Sequence, residues 1–89
     1  MKIKEGFILR KIADADIVVP IGNNIADFNG IITLNETAVF LWKLLKDGAE
    51  QPDMVEALMK EYEISRELAQ TDIDNFVERL NQSDLLMEN

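Results

Sequence analysis

Seventeen carboxylates are the main side chains of this 89-residue chain that could do acid–base or metal chemistry, and no histidine or cysteine accompanies them. Without those two residue types there is no imidazole base, no thiolate nucleophile, no disulfide and no Cys/His zinc site. Clustered carboxylates could still hold a hard cation or share a proton transfer. Here they are dispersed, and no Asp-x-Asp-x-Asp-Gly calcium loop occurs. Ser65 and Ser83 sit in Ile64-Ser65-Arg66 and Gln82-Ser83-Asp84, neither of which is the Asp-Ser-Leu setting that carries a phosphopantetheine arm. With no nucleophile–base pair, the expectation is a protein that is not an enzyme and uses no cofactor or metal.

Two constellations are suited to binding instead. Asn29-Gly30-Ile31-Ile32-Thr33-Leu34 runs into Asn35-Glu36 with no spacer, so a β-prone segment meets a helix start directly. Ile31, Ile32 and Thr33 are β-branched and fit a pleated strand. A strand ending beside helices can keep one hydrogen-bonding edge open, and an open edge can accept another chain. Gly30 either admits a close backbone approach or forms a bulge or turn. The second constellation is a stripe on the last helix, Leu68, Asp72, Asn75 and Arg79, spaced four, three and four apart. It lies beside the apolar face of that helix, at about 100° per residue. It is either the wall of a groove or an ordinary boundary face, and Arg79 could pair with Asp72 or Asn75 within its own helix. Phe76 either lines the groove or belongs wholly to the core. The candidate peptide-binding residues are therefore Asn29, Gly30, Ile31, Ile32 and Thr33 on the strand and Leu68, Asp72, Phe76 and Arg79 on the helix.

The elements that must position these residues follow from patterning. Phe7 to Ile12 alternates as a first strand, with Phe7 and Leu9 on one face and Ile8, Arg10 and Ile12 on the other. Asp14-Ala15-Asp16 reads as a hairpin break, residues 17–20 as a second strand ended by Pro20, and Gly22-Asn23-Asn24 as a turn. Residues 28–34 form the third strand of an antiparallel meander. Everything later is helical: residues 36–47 with Ala38, Leu41, Trp42 and Leu45 on one stripe, residues 52–62 opened by Pro52, and residues 66–82 capped by Ser65. Gly48 is placed to end the first helix in a left-handed conformation, and Leu85, Leu86 and Met87 form a final packing segment. The fold class is α+β, a three-stranded antiparallel sheet followed by three helices, within a single domain spanning residues 1–89.

Charge bounds the partner. Residues 1–34 carry four basic and four acidic groups, whereas residues 35–89 carry five basic and thirteen acidic ones, so the whole net charge of −8 falls on the later part. Phosphate backbones are repelled by such a surface, which disfavours nucleic acid. No apolar run approaches the roughly 20 residues of a membrane span, and no apolar stretch follows Met1-Lys2-Ile3-Lys4 as in a secretory signal. A cytoplasmic protein is expected. It is a monomer, or a dimer through the exposed strand edge.

Leu34-Asn35-Glu36-Thr37-Ala38, Trp42-Lys43-Leu44-Leu45 with Asp47-Gly48, Val55-x-x-Leu58 with Glu61-Tyr62, Asp72-Ile73-x-x-Phe76-Val77-x-x-Leu80 and Leu85-Leu86 occur in that order. In this the chain resembles the PqqD family, small proteins named for pyrroloquinoline quinone biosynthesis, and the broader module called the RiPP recognition element. The resemblance implies a winged-helix-like fold and a non-catalytic peptide chaperone. It would bind the leader segment of a ribosomally made precursor as an extra strand beside the third strand, in a groove completed by the last helix. It would present that peptide to a modifying enzyme, often a radical-SAM enzyme. Val18-Val19-Pro20-Ile21-Gly22 leading to Phe28-Asn29-Gly30 departs from the pattern of proteins dedicated to the quinone, which favours a different peptide product. The alternatives are a winged-helix DNA-binding regulator, whose recognition helix needs Lys and Arg where this one carries Glu67, Asp72, Asp74 and Glu78, and a generic protein-interaction adaptor.

Overall fold

A computed structural model describes residues 1–22 and 32–87. Strands β1 (Phe7–Ile12), β2 (Ala15–Pro20) and β3 (Ile32–Leu34) form an antiparallel sheet in the order β1-β2-β3. Helices α1 (Glu36–Asp47), α2 (Gln51–Tyr62) and α3 (Arg66–Gln82) follow. The expected α+β architecture is therefore observed.

The hairpin between β1 and β2 is tighter than the sequence suggested. Ile12 pairs with Ala15, so the loop is Ala13-Asp14 alone, and Ala15 and Asp16 belong to β2. Both loop residues take positive φ, 48° at Ala13 and 69° at Asp14. Such a mirror-image turn matches the right-handed twist of the strands it joins, which is why it prevails over the polar Asp14–Asp16 stretch. Of the expected third strand, Ile32–Leu34 is observed and residues 28–31 lie outside the described residues, as do Asn23 and Asn24 of the expected turn.

Alternation sorts the sheet into two faces. Phe7, Val18, Ile32 and Leu34 are buried toward the helices, whereas Arg10, Ile12 and Thr33 are exposed on the reverse. The helices supply most of the remaining core: Ala38, Leu41, Trp42 and Leu45 from α1, Met54, Val55 and Leu58 from α2, and Ala69, Ile73, Phe76 and Leu80 from α3. α1 starts where Asn35 Oδ1 accepts the Ala38 N–H at 2.9 Å, and α3 where Ser65 Oγ accepts the Leu68 N–H at 3.1 Å. Each cap satisfies a helix-end donor that would otherwise have no intrahelical partner. Gly48 ends α1 with φ 97° and ψ 130°, an extended positive-φ conformation rather than the expected left-handed helical one. The chain there is directed along the N-terminal segment, where the Ala49 N–H donates to the Met1 carbonyl at 2.9 Å.

That N-terminal segment is a structural element with no local sequence signature. Ile3 is 2% exposed and forms an antiparallel bridge with Leu86. The Lys4 N–H donates to the Leu85 carbonyl and the Met87 N–H to the Lys2 carbonyl, each at 2.8 Å. Leu85 and Leu86 are buried as expected, but Met87 is 47% exposed because the bridge turns its side chain away from the core.

Candidate functional site

The outward-facing groups of β3 follow from the ladder. The Ile21 N–H donates to the Gly6 carbonyl at 2.8 Å, in line with the β1–β2 register. Antiparallel pairs alternate between hydrogen-bonded and non-bonded, so Ile8, Arg10 and Ile12 direct their peptide groups at β2. On β2, Asp16 and Val18 then face β3, where they meet Leu34 and Ile32. Thr33 is left with its N–H and C=O directed away from the sheet. Among the described residues no strand pairs with that side of β3. Ile32, by contrast, spends its peptide groups on β2 and its side chain, 7% exposed, on the core. Asn29, Gly30 and Ile31 lie outside the described residues.

At the end of β3 a cleft of about 160 Å³ opens between the start of α1 and the middle of α3. Its floor is apolar, from Ala38, Leu41 and Phe76, and its rim is polar. Asn35 and Thr37 form the α1 bank, with the Thr37 hydroxyl donating to Asn35 Oδ1 at 3.0 Å. Asp72, Asn75 and Arg79 form the α3 bank. No side-chain hydrogen bond or ion pair engages any of these three among the described residues, so Arg79 pairs with neither Asp72 nor Asn75. Phe76 serves both core and cleft, being 5% exposed yet contributing to the floor. Leu68 lies one turn before Asp72, is 48% exposed and lines no part of the cleft. Asn35 and Thr37 were not anticipated as part of the rim, because a helix cap has a sufficient local explanation.

A second groove, about 770 Å³, lies between the hairpin tip and the opposite side of α1. Val39, Phe40 and Tyr62 give it an apolar floor, Lys11, Lys43, Asp14, Asp16 and Glu36 surround them, and Thr33 of β3 lines it too. The Phe40 and Tyr62 rings meet edge-on with centroids 5.7 Å apart. The Tyr62 hydroxyl donates to the Glu36 carbonyl at 3.5 Å. Burial, and then the negative charges of Glu36 and Glu61, push the Tyr62 phenol above its ordinary value.

Among the described residues no group of three or more carboxylates could hold a metal ion. What the smaller cleft offers is an apolar floor and three polar side chains without partners among the described residues, beginning at Asn35, two residues beyond the outward peptide group of Thr33.

The sequence profile described as "Coenzyme PQQ synthesis protein D (PqqD)" matches residues 17–86. The chain belongs to the PqqD family. The matched span covers β2 from Ile17 onward, β3, the three helices and the buried Leu85-Leu86 tail, so the family pattern includes both banks of the cleft. Comparison with curated proteins gave no match. Among solved structures, "TbiB1 in Complex with the TbiA(beta) Leader Peptide" aligns with 100% of this chain and 98% of that chain, at 22% identity and a TM-score of 0.76. "Lasso peptide synthetase B1 complexed with the leader peptide" aligns with 98% of this chain and 96% of that one, at 22% identity and a TM-score of 0.74. At such identity the likeness shows a shared fold and nothing more.

Proposed function

We propose that this protein is a non-catalytic recognition module. It binds the leader segment of a ribosomally synthesised precursor peptide by strand addition to β3 and presents it to a modifying enzyme, of the radical-SAM class. The observation that carries the proposal is the outward-facing peptide group of Thr33, two residues before Asn35 on the rim of an apolar-floored cleft, in a fold shared with two leader-peptide complexes. Strand addition takes affinity from main-chain bonds and selectivity from side-chain pockets on alternate residues. α3 supports a peptide rather than a nucleic acid as partner: its exposed Glu67, Asp74 and Glu78 outnumber its cations, and Arg66 is already paired with Glu56. No helix among the described residues is long and apolar enough to cross a membrane, in keeping with a module acting on newly made peptides in the cytoplasm.

The test is an NMR titration of the isotope-labelled chain with synthetic precursor leader segments. Saturable shifts concentrated at Ile32–Asn35 and along Asp72–Arg79 are the expected result. Shifts confined to the reverse face of the sheet, or none with any leader segment, would reject the proposal.

A further inference from the structure

We infer that the cleft selects its guest by charge as well as shape: a strand with one acidic and one basic residue four positions apart and an apolar residue midway. The inference rests on strand addition at β3 and specifies the chemistry of the peptide accepted there. Thr33 alone presents its peptide groups outward within the described β3, so main-chain pairing there supplies only two hydrogen bonds. Selection must then come from side chains near that edge, and the cleft that begins at Asn35, two residues beyond Thr33, is walled on its far side by α3.

Asp72 and Arg79 are seven residues apart on one helix stripe, about 10.5 Å along the axis at 1.5 Å per residue. Phe76 lies between them, on the cleft floor. Guest residues on one face of a strand recur every two positions, so the first and fifth stand roughly 13.5 Å apart. The long, flexible arm of Arg79 spans the difference. A guest carboxylate reaching the guanidinium can form two parallel hydrogen bonds, a geometry particular to arginine. A guest ammonium or guanidinium completes Asp72, and the apolar residue midway covers Phe76.

The unused state of these groups is what distinguishes them from ordinary surface charge. Arg66, the other cation of α3, is bonded to Glu56, and Lys4 is paired with Asp84 at 2.8 Å. Arg79 has no such partner among the described residues, although residues 35–89 contain thirteen acidic groups. Asp72 is likewise unpaired and is the half-buried member of the stripe, so a guest that covers it must neutralise it or desolvate a charge.

The experiment selects a displayed library of random 12-residue peptides on the full chain and on three variants, Arg79→Glu, Asp72→Lys and Thr33→Pro. Peptides enriched on the unaltered chain should carry Asp or Glu and Lys or Arg four apart, with an apolar residue between. Arg79→Glu should exchange only the acidic position for a basic one, and Asp72→Lys only the basic position for an acidic one. Each reversal should weaken binding of the parental peptides by about ten-fold. Enrichment that is lost in Thr33→Pro but shows no charge preference, or keeps its preference through both reversals, overturns the charge rule while leaving strand addition standing. No enrichment at all, or enrichment indifferent to Thr33→Pro, overturns both.

Discussion

The sheet has two edges, and they are built differently. β1 presents outward peptide groups at Leu9 and Lys11, and the exposed side chains of Arg10, Lys11 and Ile12 crowd that edge. Near its start, Lys46 Nζ donates to the Phe7 carbonyl at 3.2 Å, so a helix side chain occupies an outward acceptor. β3 carries Ile32, Thr33 and Leu34, without a charge among them. Long cationic side chains on a strand discourage edge-to-edge pairing. One border is thus guarded and the other receptive. A two-edged sheet can therefore offer a docking strand without inviting indiscriminate association.

The sharpest way to break this contrast is a pair of proline substitutions. Thr33→Pro removes an outward N–H that the fold does not use, so the melting temperature should hold while leader binding falls more than a hundred-fold in calorimetric titration. Lys11→Pro makes the same change on the guarded border and should leave binding within two-fold. Equal effects from both would end the distinction. Phe76→Ala tests how far the receptive side is also core. It should cost about 3–5 kcal/mol in urea unfolding, with residual binding by the folded fraction also weakened. Replacing Arg10 and Lys11 together by threonine should strip the guard, and sedimentation should then detect concentration-dependent self-association absent from the parent chain.

The smallest expected effect is spectroscopic. Tyr62 is the sole tyrosine, so absorbance titration reads it alone. Its midpoint should lie above the ordinary phenol value of about 10, because burial and then Glu36 and Glu61 oppose the phenolate. With the folded value raised, the associated stability is present below the unfolded value and is lost as pH rises through the folded one. A tyrosine-free guest seated between β3 and α3 should leave the midpoint unchanged. A shift on binding would instead bring the larger groove by the hairpin into the recognition surface.

The parts legible in the sequence were those with a local cause. Asn35 and Ser65 cap their helices as polar N-caps do, and the α1 stripe of Ala38, Leu41, Trp42 and Leu45 is buried because its spacing matches the helical repeat. The hairpin was misplaced because its loop, Ala13-Asp14, lacks the glycine or asparagine that usually announces positive φ. The cleft was half legible. A helical stripe extends as far as the helix does, whereas a cleft extends only as far as the opposite bank. Asp72, Asn75 and Arg79 face Asn35 and Thr37; Leu68 continues the stripe beyond it. Ile3, buried in the core, gave no periodic signal because its partner Leu86 is 83 positions away.

The antiparallel clasp between Lys2–Lys4 and Leu85–Met87 has a mechanical consequence. Both extremities of the described chain emerge side by side, so tension applied across them loads the clasp one hydrogen bond after another, like a zip, instead of shearing them together. The helical core should then stay intact through the first, low-force step of stretching, while the clasp opens.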